Sequence, residues 1–236
     1  MPTSALQVAR TGLEAQDTRM RVIANNLANI GTTGYKRDRA NFATLAYQDN
    51  RVAGQQSSNE TAYATGLNLG TGVQTQSTTS ITTQGTLSTT GNSLDMALDG
   101  SGYFQVQLPG GKLGYTRAGN FSRSADGQLV TAQGYPLQPA ITIPEDAAGL
   151  TIGPDGTVSV TTAASSTPTE IGQITLASFT NPAGLQALGD NFLAETAASG
   201  PAQIGPAGDG LRGSIRQGML EASNVNVVEE LVDMIE

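Results

Sequence analysis

The sequence predicts a mainly β fold with terminal α-helices: an antiparallel β-sandwich or partial barrel set between an N-terminal and a C-terminal helix. Three observations predict it. The 236 residues hold 29 Gly and 10 Pro, with 38% hydrophobic and 5% aromatic residues, a composition suited to short polar strands and many turns. Apolar residues recur at helical spacing near both ends of the chain. Between about residues 68 and 215 they alternate instead, and Asp-Gly pairs punctuate the chain.

The N-terminal helix is expected to open at Ser4, with Gln7 three residues later completing a capping box. Behind it Leu6, Leu13, Met20 and Leu27 recur every seven residues. Ala9, Gln16, Ile23 and Ile30 supply the second heptad position, with one polar lapse. Gly31 and Gly34 end the helix. Some 27 helical residues span about 40 Å, and an apolar stripe of that length needs a partner, either another helix or the chain's own domain.

Residues 47–66 are polar and without period, which reads as a loop or extended arm. Thr78 to Thr90 is Ser/Thr-rich and suits an exposed strand. Phe104, Val106 and Leu108 alternate with Gln105 and Gln107 ahead of a Pro109-Gly110-Gly111 turn. Asp126-Gly127 and Asp155-Gly156 read as hairpin turns, the second flanked by Ile152 and by Val158 and Val160. Ile174 and Leu176 alternate with Gln173, Thr175 and Ala177. At the end, Asn226 with Glu229 is a helix-cap signature, and Glu229 and Glu230 suit the positive end of the helix dipole. Val228, Leu231 and Ile235 share one face of a helix too short to be stable alone, so it needs a partner or the chain is cut short.

The missing residue types exclude whole function classes. With no His and no Cys, the usual zinc, haem and iron–sulfur sites lose their ligands, and the Ser-His-Asp and Cys-His arrangements are impossible. No metal and no cofactor is expected. Twelve basic residues against twenty acidic ones, a formal charge of −8, argue against binding a nucleic-acid backbone. No apolar run is long enough for a membrane span, and the start lacks the regions of a cleavable secretory signal. The four Asp-Gly pairs lie too far apart for a calcium loop and read as turns. No phosphate-binding glycine motif is present, and nothing singles out a catalytic carboxylate pair. Charge is uneven. Arg10, Arg19, Arg21, Lys36, Arg37 and Arg39 face only three acids in the first forty residues, whereas residues 217–236 carry five acids and no base.

The most specific segment is Ile23-Ala-Asn25-Asn26-Leu27-Ala-Asn29-Ile-Gly31-Thr-Thr33-Gly34-Tyr35-Lys36-Arg37. Three Asn at a helix end run against helix propensity, and a generic cap explains Asn29 alone. This segment resembles the signature of the bacterial flagellar rod and hook family, the axial proteins of the basal body. Thr11-Gly-Leu-Glu-Ala-Gln16, Gly70-Thr-Gly-Val73, Asp99-Gly-Ser-Gly-Tyr-Phe-Gln-Val106, Tyr115-Thr-Arg-Ala-Gly-Asn-Phe121 and Asp126-Gly-Gln-Leu-Val-Thr131 extend the resemblance. So do Gln138 to Pro144, Ile152 to Val160 and Gln217 to Ile235, so that it covers nearly the whole chain.

Within the family the chain is most similar to distal-rod members. The resemblance implies a non-enzymatic subunit that assembles helically with copies of itself and transmits torque to the hook. The terminal region, 1–46 and 216–236, would form an inner coiled-coil layer. Residues 47–67 would be a distal-rod-type insert that stiffens the shaft, and 68–215 the β-rich outer domain. The implied partners are other copies of the chain, proximal rod proteins, the hook protein, the outer ring that acts as bushing, and the flagellar type III export apparatus. The implied location is the basal body, across the periplasm. The expected assembly stripe is Leu6, Leu13, Met20, Ile23, Leu27 and Ile30, with Val228, Leu231 and Ile235 facing it. Asn25, Asn26, Asn29, Gly34 and Tyr35 carry the family motif, the three Asn ordering the helix exit and subunit contacts. Family members run several helical turns past the position of Glu236, so a shortened chain with termini that fray until packed is expected. The rival readings are another rod or hook subunit and, in other classes, a β-rich secreted adhesin or carbohydrate hydrolase.

Overall fold

Pro2, tolerated in a first helical turn because its missing N–H has no partner there anyway, opens helix α1, Pro2–Ala28. The computed structural model describes residues 2–56, 63–162 and 165–235. Helix α1 has the expected length, but Ser4 lies inside it and not at its cap, because the turn begins two residues earlier. The exit is as expected: helical pairing stops at Ala28, Thr32 N–H closes a turn on Asn29 O, and Gly34 stands at φ +70°. At the other end Asn226 immediately precedes helix α2, Val227–Ile235, with Glu229 and Glu230 in its first turn.

Among the described residues between the helices every strand pairing is antiparallel, and no sheet closes into a barrel. The chain forms two compact units. The first comprises residues 1–27, 38–80 and 228–236. Besides the helices it contains two ladders, Asp38–Thr44 with Val73–Ser80 and Tyr47–Arg51 with Leu67–Gly70. The second ladder refines the reading of 47–66 as a loop or extended arm: the stretch opens in one strand and runs into another, held by backbone pairing that needs no apolar period. Residues 57–62 of the stretch lie outside the described residues. The Ser/Thr-rich run is also more broken than expected. Strand Val73–Ser80 ends before residues 81–86, and Leu87–Thr89 is a separate short strand.

The second unit, residues 28–37 and 81–227, holds the core. Its largest sheet runs in the order Gln186–Gly189, Phe192–Ala194, Leu113–Thr116, Tyr103–Gln107, Thr175–Ser178, Gln203–Pro206, with Leu137–Gln138 also pairing Tyr103–Gln107. Phe104, Val106, Ile174 and Leu176 sit in one core cluster, as their alternation predicts. Tyr103, Tyr115, Ala177 and Phe179 form a second cluster, with the Tyr115 and Phe179 rings edge-to-face at 4.8 Å. Gln105, expected on a solvated face, is therefore buried and donates to Thr175 Oγ1. A half-buried strand alternates cleanly only when its second face is wet. The Asp155-Gly156 turn is as expected, with Ile152 and Val158 paired across it and the Asp155 carboxylate accepting from Thr157 N–H and Oγ1. Asp126-Gly127 likewise turns the chain, Gly127 N–H closing on Ser124 O.

Candidate assembly surface

Helix α1 turns two different faces outward and inward. Thr11, Gly12, Ala15, Thr18, Arg19, Val22, Ile23, Asn26 and Leu27 are its half-buried or buried positions, centred on a line spaced three and four apart. Thr11 Oγ1 accepts from Val73 N–H at 3.4 Å. Apart from Val22, Ile23 and Leu27 near the helix exit, this inner face is small or polar. The heptad residues point elsewhere: Leu6 is 70% exposed, Leu13 73% and Met20 52%. Leu27 is half-buried and Ile30, past the helix end, is exposed. Ile23 alone of the expected stripe is fully buried, so it packs within the chain.

Helix α2 is inverted in the same sense. Glu230 is buried and Asp233 half-buried, whereas Val228, Leu231 and Ile235 are all exposed, together with Val232 and Met234. Glu230 and Asp233 face the chain while the apolar residues face away with Glu229, the reverse of a helix docked on its own core. Ion pairs that join the basic start to the acidic end include Arg19 with Asp233 at 3.8 Å, partly exposed and contributing little, and the buried pair of Lys36 with Glu221.

The inner contacts centre on Asn26, which is 1% exposed. Its Oδ1 accepts from Asp38 N–H at 2.9 Å, and its Nδ2 donates to Asp38 O at 2.9 Å and to Glu230 Oε2 at 3.1 Å. One side chain thus satisfies both backbone groups of the residue that begins the first ladder and fixes a carboxylate of α2. Burial pushes the Asp38 carboxyl above the usual carboxylate range, partly offset by a hydrogen bond from Ser80. Asn25 is exposed and Asn29 half-buried, with Asn29 Oδ1 accepting from Thr32 Oγ1 at 3.1 Å. Asn26 ties the helix exit to Asp38 and α2, and Asn29 closes the exit turn on Thr32.

The rest of the motif belongs to the second unit. Gly34 is buried against the Arg117 backbone, where an added Cβ would come within 2.6 Å of a carbonyl carbon. Gly34 N–H donates to Glu221 O at 2.8 Å, and Tyr35 O accepts from Asn224 N–H. Arg37 N–H donates to Asn224 Oδ1 at 2.8 Å, and Asn191 Nδ2 donates to Thr33 O at 2.8 Å. Lys36 Nζ reaches both the Glu221 carboxylate and Thr83 O. Burial drives the Lys36 ammonium below its usual range, and its bond to Glu221 opposes this only in part. The Glu221 side chain is fully buried and also accepts from Arg117 Nε at 2.9 Å and Gly85 N–H at 2.9 Å. Arg117 spends its remaining donors on Gly100 O and Gly102 O.

The roles of Glu221, Arg117 and Asn224 escape sequence reasoning, because their partners are more than a hundred residues away. A usable signal exists: the chain has only two lysines, and one of them closes the most specific motif.

Three protein-family profiles match the chain. Residues 6–36 match the flagella basal body rod protein family, 97–160 the D1 domain of flagellar hook protein FlgE/F/G, and 216–236 the C-terminal region of flagellar basal body rod FlgEFG proteins. The flagellar basal-body rod protein FlgG of Buchnera aphidicola subsp. Schizaphis graminum is 50% identical over 98% of this chain and 89% of its own length. That of Agrobacterium fabrum is 47% identical over 98% of this chain and 88% of its own. The flagellar hook protein FlgE of Brucella abortus is 38% identical over 65% of this chain but only 35% of its own length.

Proposed function

The chain belongs to the family of flagellar basal-body rod proteins FlgG, structural components of the basal body and not enzymes, and from that premise we propose that it builds the distal rod as a helical homopolymer that carries torque to the hook. Relatives named as rod proteins align over nearly their full length, whereas the hook relative aligns over about a third of its own, which favours a rod over a hook subunit. The observation that carries the assembly reading is the outward apolar stripe. Leu6, Leu13 and Met20 on α1 and Val228, Leu231 and Ile235 on α2 are exposed in a single chain. Repeated heterologous contact between copies would bury them and generate a filament.

In this reading the terminal segments, 1–46 and 216–236, form the inner coiled-coil layer, and 68–215 forms the outer wall. The ladder flanking residues 57–62 belongs to the stiffening insert, 47–67. Proximal rod proteins, the hook protein, the outer ring and the type III export apparatus are the partners, and the periplasm is where the polymer runs. Leu27 and Ile30 continue the stripe at the helix exit, and Ile23 contributes from beneath it.

The test is electron microscopy of basal bodies from cells whose sole copy carries Leu13→Asp or Leu27→Asp. At exposed Leu13 the substitution leaves the folded chain within about 0.5 kcal/mol of the parent, so any loss is one of assembly. Basal bodies ending at a short rod without a hook are expected. An intact rod with either charge in place overturns the stripe.

A further inference from the structure

Residues 28–37 are attached to the second unit in an unusual way. Neither of that unit's two apolar clusters contains a residue of this segment. Polar attachments converge on residues 221–224: Gly34 N–H on Glu221 O, Lys36 Nζ on the Glu221 carboxylate, Arg37 N–H on Asn224 Oδ1; others run from Thr33 O to Asn191, from Lys36 to Thr83 O and from Arg37 O to Ile81 N–H. The carboxylate that anchors them is buried between two cations, Lys36 from the segment and Arg117 from the core. Without it those cations would face one another in a site closed to water, where like charges repel strongly.

We propose that residues 28–37 are a charge-locked strap, an element that docks on the β core and leaves it as a unit, with the Glu221 carboxylate as the lock. Because no residue of the strap belongs to either core cluster, its departure leaves Phe104, Val106, Ile174 and Leu176 in place. The lock also sets an order. A chain made or delivered from its N-terminus presents Lys36 and Arg117 long before Glu221, so the strap stays open until residues 221–224 arrive. Glu221 is a positioning residue: its carboxylate keeps Lys36 and Arg117 from repelling one another, so that the backbone bonds at Gly34 and Arg37 stay closed.

Hydrogen exchange on the full chain tests this. In Glu221→Gln the amides of Gly34 and Arg37 are expected to exchange at least about tenfold faster, while amides of Tyr103–Gln107 and Thr175–Ser178 keep their protection. Lys36→Met, which leaves Arg117 and Glu221 paired, is expected to change the strap amides by less than about threefold. The double variant, which removes the second cation, recovers most of the protection lost in Glu221→Gln. Should Glu221→Gln alone fail to fold, recovery of the fold in the double variant is the supporting result. The proposal is overturned if strap and core amides accelerate together, if Glu221→Gln leaves the strap protected, or if the double variant is no better than Glu221→Gln.

Discussion

Gly34 shows how tightly single positions of the signature are fixed. It combines φ +70° with a Cβ position 2.6 Å from the Arg117 carbonyl carbon, so a side chain meets both backbone strain and a rigid neighbour. Gly34→Ala is expected to destabilise the second unit by about 2–4 kcal/mol, read as a lowered denaturant midpoint with an unchanged slope. Lys36 makes a different prediction. Its folded-state pKa is held below 10.5 by burial, so across the window ending at 10.5 the unfolded chain binds more protons. Stability from this group therefore rises with pH through that window and is complete above it. Tyr103 opposes it: burial raises the phenol above 10.0, so its contribution falls as pH rises past 10.0. Glu221 and Arg117 face both groups and are common to parent and variant. Subtracting the stability–pH profile of Lys36→Met from that of the parent cancels the tyrosine. The difference is expected to shift in favour of the parent as pH climbs toward 10.5, and a flat difference defeats the assignment.

At the scale of elements, what could be read from the sequence was local. Helix α1 follows from its heptads and its glycine stop, and the turn at Asp155-Gly156 from its own dipeptide, because both patterns are complete within one short window. Three features were not readable. Gln105 is buried because a second cluster covers its face, a fact set by Phe179 and Tyr115 and not by its own strand. The ladder of Tyr47–Arg51 with Leu67–Gly70 is held by backbone bonds with both faces exposed, so no apolar alternation announces it. The Glu221 cluster joins residues 185 positions apart. Asn26 is intermediate: three Asn at the helix end signalled a special role, but only the structure selects the one that clamps Asp38 and Glu230. Asn26→Ala removes the side-chain bonds to both backbone groups of Asp38 and to Glu230 Oε2 in a buried site. A loss of about 2–4 kcal/mol in the first unit is expected, seen as earlier melting of the helical signal and faster exchange at the Asp38 amide. The second unit is expected to be unchanged, and equal loss in both would mean that the clamp is not local to the first.

For the whole molecule, the two units differ in what they bury. Apart from Val225, the fully buried hydrophobics of the second unit run from Met96 to Ile215, whereas Ile23 is the one in the first unit among the described residues. The first unit instead exposes Leu6, Leu13, Met20, Tyr47, Leu69 and Ile235. A unit with so little buried apolar surface has little to offset the entropy of ordering a 27-residue helix, and a nine-residue helix is marginal alone. The two units should therefore lose structure separately in a dilute chain. Calorimetry is expected to show a first transition that coincides with loss of the far-ultraviolet helical signal. A second, higher transition should coincide with loss of the near-ultraviolet signal of buried Tyr103 and Tyr115. In the proposed rod, packing the stripe against other copies would supply the burial the first unit lacks, so raising the concentration or polymerising the chain is expected to move the first transition up toward the second. The second transition belongs to a core already closed within one chain and stays where it was. A single transition indifferent to concentration would show that the helices are held by their own chain, and the outward stripe would then need a different explanation.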